Sequence, residues 1–231
     1  MISDKLIVSL DVPDFASAKK MVEQIGDEVV FYKIGLELMM SGDYFDLIQW
    51  LRSANKKIFA DLKLYDISRT VGNAVCNLAT HQVDFLTIHS SSKDIIKAAN
   101  DNKGEMKIIA VTLLTNLDEQ DVKLAGYDPN LSIKELATKK AGLALESGCD
   151  GLVCSAFEAQ ALRDKFGSDF KIITPAIRLE NIQGDDQKRI ATVEMALKNG
   201  SDYLVVGRPI IQSKDPKSAA SNFQDLIAKF S

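Results

Sequence analysis

Eight short apolar runs recur along the whole chain, and they constrain its fold more than any other feature. In order, the runs are KLIVSLD, VVFYKIG, KIFADLK, VDFLTIH, KIIAVTLLT, DGLVCS, FKIITPAI and DYLVVG. Strands that are buried on both faces are continuously apolar, whereas strands with one face in water alternate apolar and polar residues. The runs therefore predict eight buried strands of a parallel sheet.

Helical patterns fill the segments between these runs. AFEAQALRDKFG ends in Gly167, which suits a helix cap. The connection after the fifth run is the longest, and it predicts a short helix, a turn over 126–130 and a main helix capped by Ser132. The segment FASAKKMVEQIG carries one apolar stripe formed by Phe15, Ala18, Met21, Val22 and Ile25.

Strands that alternate with helices predict an α/β fold, and eight of them favour a single (β/α)8 TIM barrel with its active site at the C-terminal ends of the strands. A doubly wound open sheet is the competing architecture, because periodicity does not show whether the first and last strands pair. No GxGxxG or Walker loop follows an early strand, which disfavours that alternative. With 231 residues and no Pro/Gly/Ser linker, the chain is predicted to form one domain over 1–231.

Charge and composition narrow the classes of function. The formal net charge is -4, which gives no electrostatic reason for general binding to nucleic acid or to an anionic membrane surface. No apolar run approaches the roughly 18 residues of a transmembrane helix, and MISDKLIVSLD lacks the apolar core of a signal peptide. We therefore expect a cytoplasmic protein that acts on a small molecule.

The cysteines and histidines give no metal or disulfide pattern. Cys76, Cys149 and Cys154 form neither an even disulfide framework nor a CxxC pair, and only His81 and His89 could join them on a metal. His89 ends the fourth predicted strand, where a structural histidine is the commoner case, so we leave it outside the catalytic set. No metal ligand is predicted.

Polar residues gather where the predicted strands end. Asp61 and Lys63 are two residues apart, so an extended backbone would point both side chains into the barrel, whereas Asp66 lies past the strand and need not share that pocket. Lysines placed between carboxylates would keep the carboxylates ionised. The same groups could simply form an ion-pair network, but their number favours a functional site. The residues at these strand ends are Asp11, Lys33, Asp61, Lys63, Asp66, His89 and Thr115.

A second group of residues suits a phosphate. Gly207 lets a ligand approach the backbone after the last strand, and Arg208 opens a predicted short helix whose amides would point toward an anion. Barrels often bind phosphate with the loops that follow strands seven and eight. Arg178 and Gln187 lie in the first of these two loops and could donate further hydrogen bonds.

Taken together, these motifs resemble the orotidine 5′-monophosphate decarboxylase family over essentially the whole chain. The resemblance runs from LDVPD and YKIG through DLKLYDISRT and VTLLT to TPAIR, DDQ and VVGRPI, and DLKLYDISRT is its most specific part. It implies decarboxylation of orotidine 5′-monophosphate to uridine 5′-monophosphate, the last step of pyrimidine nucleotide synthesis. It also implies a homodimer without metal or organic cofactor, whose active sites lie at the dimer interface.

The resemblance further implies a role for each matching residue. Lys63 would protonate carbon 6 of the pyrimidine, and Asp61 would lie against the departing carboxylate. Asp11 and Lys33 would hold the ribose hydroxyls and position the charged network, with Lys33 counted among the catalytic residues, and Thr115 would contact the pyrimidine. The residues implied in the partner's site are Asp66, Ile67 and Thr70, and those implied in the loop and phosphate region are Arg178, Gln187, Gly207 and Arg208.

Two positions depart from the family's pattern, and one alternative stays open. Ala176 replaces the glycine usual in PGIR, and Asn116 replaces a serine often found after LT, so the loop geometry is where a difference is expected. The alternative is a magnesium-dependent sugar-phosphate decarboxylase or aldolase of the same barrel superfamily, which shares Asp-x-Lys-x-x-Asp. Those relatives need an acidic residue near strand two, where this chain has Lys33. A barrel that merely senses a phosphorylated metabolite is a further possibility.

Overall fold

The computed structural model describes residues 2–179 and 190–231, and within them each of the eight apolar runs contains a strand. The strands pair in parallel and close on themselves, because the first pairs with the last through Leu6 opposite Leu204 and Val8 opposite Val206. The predicted barrel is confirmed, and the doubly wound alternative was wrong. The barrel strands are β1 (Leu6–Ser9), β2 (Phe31–Gly35), β3 (Lys57–Leu64), β4 (Phe85–His89), β5 (Lys107–Val111), β6 (Gly151–Val153), β7 (Lys171–Thr174) and β10 (Tyr203–Val206).

Helices follow the strands and cover the outside of the barrel. Between β7 and β10, a two-stranded ribbon pairs β8 (Ile177–Arg178) with β9 (Ala191–Thr192). A 3-10 turn, Gly26–Glu28, follows the first helix. The helices are α1 (Phe15–Ile25), α2 (Leu36–Met40), α3 (Tyr44–Ser53), α4 (Ser68–Ala79), α5 (Lys93–Asp101), α6 (Glu119–Leu124), α7 (Ile133–Glu146), α8 (Ala156–Phe166), α9 (Val193–Lys198), α10 (Arg208–Ile211) and α11 (Pro216–Phe230).

The predicted helix ends are present. Ser132 caps α7 by accepting a hydrogen bond from the Glu135 amide, while the Glu135 carboxylate accepts one from the Ser132 amide. Gly167 follows α8 with φ 79°, in the left-handed region that glycine adopts without strain. The long connection after β5 contains the short helix α6 and then α7, as its sequence indicates.

Alternate residues of the barrel strands fill the inside of the barrel with an apolar layer. Phe31, Phe59 and Phe85 make edge-to-face ring contacts there, and Tyr203 joins them. Because the side-chain period of a strand is two, the residue two positions after each layer member also points inward, one step closer to the carboxyl ends. The buried members of this layer, the barrel floor, are Ile7, Phe31, Phe59, Phe85, Ile109, Ile173 and Val205.

An aspartate stands immediately before each of the strands β4, β6 and β10, and it clamps that strand to the one before by hydrogen bonds. Asp202, which precedes β10, accepts a hydrogen bond from the Ile172 amide at 2.7 Å and donates its own amide to the Ile172 carbonyl at 2.9 Å. Its carboxylate also pairs with Arg163 at 2.5 Å. The same reciprocal bonds join Asp84 to Ile58 and Asp150 to Ile108, with Arg52 and Lys103 as the respective cations.

Replacing Asp202 with alanine is expected to lower the free energy of unfolding by about 2 kcal/mol, because the Ile172 amide, which is fully buried, loses its acceptor and Arg163 loses its carboxylate. Urea unfolding followed by circular dichroism measures the change. Asp169→Ala is the matched control, since Asp169 is an exposed aspartate close by in the chain. Equal stabilities of the two variants would show that the clamp contributes nothing.

Candidate active site

A cavity of about 360 Å³ opens at the carboxyl ends of the barrel strands, directly above the barrel floor. Its size lies within the range of small-ligand sites. Floor residues such as Phe59 and Ile173 form its base, and polar side chains form its rim. Eight of the residues predicted for the site line it: Asp11, Lys33, Asp61, Lys63, Thr115, Arg178, Gly207 and Arg208.

Four charged side chains alternate in sign across one side of this cavity. The Lys33 Nζ lies 3.4 Å from Asp11 Oδ1 and 3.1 Å from Asp61 Oδ2. The Lys63 Nζ lies 2.8 Å from Asp61 Oδ1, so Asp61 holds one lysine on each carboxylate oxygen. The order Asp11, Lys33, Asp61, Lys63 is the alternation that the sequence predicts, and we call it the charged array.

The charged array keeps its buried members ionised. Burial by itself would raise the pKa of Asp61, but the Lys33 and Lys63 ammonium groups outweigh it and hold the pKa at about 2. Burial would likewise lower the pKa of Lys33, yet Asp61 and Asp11 raise that pKa above its ordinary value. At neutral pH the cavity therefore presents a fixed carboxylate between fixed ammonium groups.

Lys63 reaches the cavity by a different route from the one expected. Its φ is 47°, in the left-handed region, so the backbone at Lys63 is not extended. The pairing between β3 and β4 shifts here: Ala60 lies opposite Leu86, but Leu64 lies opposite Ile88. An irregularity of this kind re-aims a side chain. The expectation of a shared pocket for Asp61 and Lys63 is met, while the assumption of an extended backbone was wrong.

The rim above β7 and β10 carries the arginines. Arg178 is buried in the ribbon and donates from Nη1 to the Ile177 carbonyl at 3.0 Å. Arg208 is exposed and opens α10, and Gly207 caps that helix, as the sequence predicts. Thr115 and Asn116 follow β5 and line the same cavity. A ligand that fills the cavity can therefore meet the charged array with one end and guanidinium groups with the other.

Asp66, Ile67 and Thr70 do not line the cavity of their own barrel. All three are exposed around the start of α4, and the Asp66 carboxylate accepts a local hydrogen bond from the Ile67 amide at 2.6 Å. Their position agrees with the expectation that they face elsewhere. Gln187 lies outside the described residues, so its predicted role stays a prediction.

Two buried hydroxyl residues belong to the site and were missed by the sequence interpretation. Ser9 lines the cavity and donates to Asp11 Oδ2 at 2.8 Å. Thr87 donates to Asp61 Oδ1 at 2.9 Å from beneath the charged array. Each stands two residues after a member of the barrel floor, Ile7 or Phe85, so the period of two would have pointed to both.

His89 and the cysteines take no part in the charged array. His89 is half-buried beside Tyr65, and burial together with the charges of Lys140 and Lys63 lowers its pKa, so it is neutral at pH 7. Cys149 and Cys154 are buried and Cys76 is exposed, and none of the three is in a disulfide. Within 2–179 and 190–231, no cluster of three or more His, Cys, Asp or Glu side chains could hold a metal ion. No helix in the same ranges is long and apolar enough to cross a membrane.

Ala176, the position where the sequence departs from PGIR, has φ 61° and lines the cavity. This backbone conformation favours glycine and strains an alanine. Ala176→Gly is therefore expected to raise the free energy of unfolding by about 0.5–1 kcal/mol and to leave catalysis unchanged. Urea unfolding measures it. Ala191 lies on the other strand of the ribbon and has no positive φ, so the control variant Ala191→Gly should instead destabilise the protein. A loss of stability in Ala176→Gly would contradict the inference that the Ala176 backbone is strained.

Comparisons with known proteins agree over nearly the full length. The model of the Orotidine 5'-phosphate decarboxylase / HUMPS family matches residues 4–223. The chain is 47% identical over 227 residues to the orotidine 5'-phosphate decarboxylase of Methylococcus capsulatus, covering 98% of this chain and 93% of that protein. It is 46% identical to the enzyme of that name from Afipia carboxidovorans, with 97% and 95% covered.

A solved structure gives the same result for the fold. The crystal structure of orotidine 5'-phosphate decarboxylase from Lactobacillus acidophilus superposes with a TM-score of 0.85 at 34% sequence identity. The superposition covers 97% of this chain and 99% of that one. The chain is therefore similar to these proteins in both sequence and fold over nearly its whole length.

Proposed function

Because the chain belongs to the orotidine 5'-phosphate decarboxylase family, we propose that it converts orotidine 5′-monophosphate to uridine 5′-monophosphate and CO2. This is the final step of de novo pyrimidine nucleotide synthesis. The observation that carries the proposal is the charged array, in which Asp61 lies between Lys33 and Lys63 in a cavity of nucleotide-binding size. No group other than protein side chains is required for the steps below.

Lys63 is the proposed electrostatic stabiliser and proton donor. When the bond between carbon 6 and the carboxylate breaks, CO2 departs and the electron pair stays on carbon 6. The Lys63 ammonium, held by Asp61 at 2.8 Å, would stabilise this negative charge and then transfer a proton to carbon 6. A donor that is already oriented needs no reorganisation as the charge develops, which is why fixed ion pairs serve this chemistry.

Asp61, Lys33 and Asp11 are proposed to bind the substrate next to Lys63. Asp61 would lie against the substrate carboxylate, where repulsion between like charges relaxes as neutral CO2 forms; this contribution is secondary to Lys63. Asp11 and Lys33, at the mouth of β1 and β2, would bind the ribose hydroxyls. Thr115 would contact the pyrimidine from the loop after β5.

The phosphate would be bound by the arginine rim. Arg178, Gly207 and Arg208 lie at the two loops that often hold phosphate in such barrels, and Gln187 is proposed to join them. The phosphate is remote from carbon 6, so its binding energy serves catalysis by closing the loops around the substrate.

Arg208→Ala is expected to raise KM by about 10²-fold with a smaller loss in kcat, because a charge-assisted contact to phosphate is lost while the charged array is intact. Steady-state kinetics over a wide substrate range measures both constants. Arg52→Ala serves as a control, since Arg52 pairs with Asp84 at the other end of the barrel. An unchanged KM in Arg208→Ala would exclude Arg208 from phosphate binding.

We further propose a homodimer in which each subunit donates Asp66, Ile67 and Thr70 to its partner's site. Ile67 and Tyr65 are each 69% exposed after β3, and Leu36 and Met40 are exposed after the adjacent strand β2. Large apolar side chains that share one region of a surface mark an interaction site. Contact with a second copy would bury these side chains and bring Asp66 toward the opposite cavity.

The magnesium-dependent sugar-phosphate alternative is not supported. Its acidic residue near strand two is replaced by Lys33, which repels a cation, and the relatives described above carry the name of the nucleotide decarboxylase. The sensor alternative fails to account for the complete charged array. We also propose that residues 1–231 act as one catalytic domain, since the cavity draws on strands from β1 to β10. A cytoplasmic location stays a prediction.

Turnover of orotidine 5′-monophosphate, followed by the ultraviolet change as the pyrimidine loses its carboxylate, tests the proposed function. The protein should be active after treatment with a chelator and in its continued presence. Loss of this activity on chelation with recovery by Mg²⁺ would contradict the metal-free steps described above. No turnover by a folded protein would contradict the proposal.

A further inference from the structure

We propose that Thr87 is a positioning residue of the decarboxylation site, whose hydroxyl holds Asp61 and the Lys63 backbone in their catalytic arrangement. This inference rests on the proposed function, because it assigns a role within the same site. Thr87 is fully buried on β4, two residues before His89 at the carboxyl end of the strand. It lies beneath the charged array rather than in the lining of the cavity.

The Thr87 hydroxyl makes two hydrogen bonds in opposite senses. It donates to Asp61 Oδ1 at 2.9 Å, and it accepts from the Lys63 backbone amide at 2.9 Å. A hydroxyl has one donor and acceptor lone pairs, so one group satisfies both partners at the same time. An aliphatic side chain of the same shape could satisfy neither, and an ammonium group could not accept.

Lys63 stands outside the regular pairing of β3 with β4, and its amide donates to the Thr87 hydroxyl. Four steps of β3, from Ala60 to Leu64, lie opposite only two steps of β4, from Leu86 to Ile88. The residues between them are displaced from regular pairing, and Lys63 takes a left-handed φ of 47°. A left-handed lysine persists only where its surroundings hold it. The Thr87 hydroxyl is the side-chain group that bonds the displaced amide.

The same hydroxyl fixes the carboxylate that orients the Lys63 ammonium. Asp61 Oδ1 receives both the Thr87 hydroxyl and the Lys63 Nζ, while Oδ2 faces Lys33. Thr87 therefore holds Lys63 twice, directly through its backbone amide and indirectly through Asp61. Without the hydroxyl, the carboxylate can rotate and the left-handed turn can relax, so the ammonium moves away from the reacting carbon.

Thr87→Val and Thr87→Ser test this role as a matched pair. Valine keeps the shape of threonine but removes the hydroxyl, whereas serine keeps the hydroxyl and removes a methyl group. Because a misplacement of about 1 Å can cost 10²-fold, Thr87→Val is expected to lower kcat by about 10- to 100-fold with KM changed by less than about threefold. Thr87→Ser should keep kcat within about threefold of the parent.

Hydrogen exchange at the Lys63 amide gives a readout that is independent of turnover. The amide should exchange at least about tenfold faster in Thr87→Val than in the parent and Thr87→Ser, because it has lost its acceptor. A role in packing alone would leave the kcat of the folded fraction unchanged, and it would speed exchange of the Lys63 amide no more than exchange of the other amides in the core strands.

Several results would overturn the inference. A folded Thr87→Val protein with kcat within about twofold of the parent would exclude the positioning role, as would a Thr87→Ser protein that loses as much kcat as Thr87→Val. If Thr87→Val does not fold, Thr87→Ala is judged by the same criteria. Absence of turnover in the parent protein would instead contradict the proposed function, and the exchange of the Lys63 amide would still test Thr87.

Discussion

Lys63→Ala is expected to lower kcat by about 10⁴-fold or more while the protein stays folded, a loss of roughly 5.5 kcal/mol of transition-state stabilisation. The variant removes both the cation that faces the developing charge and the donor of the final proton. Asp61 keeps Lys33 and Thr87 as partners, so its carboxylate stays compensated and the barrel is retained. Single-turnover kinetics, with enzyme in excess of both substrate and KM, measures the chemical step.

Lys57→Ala provides a matched control for this prediction. Lys57 lies at the other end of the same strand and pairs with Asp4 at 2.7 Å, so its loss also removes a lysine from an ion pair. Its turnover should equal that of the parent. Circular dichroism and urea unfolding verify that both variants are folded. A Lys63→Ala protein with turnover within tenfold of the parent would disprove the proposed mechanism.

Mixing two inactive variants is expected to restore activity. Lys63→Ala subunits keep Asp66, and Asp66→Ala subunits keep Lys63, so a mixed dimer contains one site with both residues and one site with neither. Random exchange at equal concentrations makes half of the dimers mixed, and activity should therefore rise from near zero to about one quarter of that of the parent. Mixed dimers carrying two different affinity tags allow the activity to be measured on purified material.

A control mixture separates recovery through shared sites from recovery by stabilisation of one subunit by the other. A Lys63→Ala/Asp66→Ala double variant, mixed with either single variant, cannot form a complete site and should stay inactive. If verified mixed dimers of the two single variants recover no activity, Asp66 does not act in the partner's site. If the protein is a monomer at assay concentrations, the dimer proposal fails before the mixing experiment.

Much of the fold could be predicted because it depends on local patterns. The eight apolar runs mark the strands, and residues such as Ser132 and Gly167 mark helix ends by their own hydrogen bonding and backbone preferences. Closure of the barrel is a long-range property, since it depends on Leu6 meeting Leu204, and no local pattern contains it. Eight repeats made closure the favoured expectation, and the strand pairing settles it.

Eight residues that the sequence singles out line the cavity, whereas the backbone geometry at Lys63 was not predicted. Asp61, Lys63 and Lys33 are charged residues in apolar strands, which makes them conspicuous in a sequence. Thr87 is not conspicuous, because a threonine within an apolar strand is ordinary. Its role arises only when the shift between β3 and β4 places the displaced Lys63 amide beside its hydroxyl. The positive φ of Lys63 was missed for the same reason, since it depends on the register between β3 and β4.

The aspartate clamps have a consequence for how the barrel is subdivided. They join β3 to β4, β5 to β6 and β7 to β10, whereas Val30 stands at the equivalent position before β2. By these side-chain bonds, β3 with β4, β5 with β6 and β7 with β10 form three fastened pairs of strands. The remaining pair, β1 and β2, is joined by its sheet hydrogen bonds without an aspartate of this kind. Loosening of the barrel should therefore begin at β1 and β2, which carry Asp11 and Lys33.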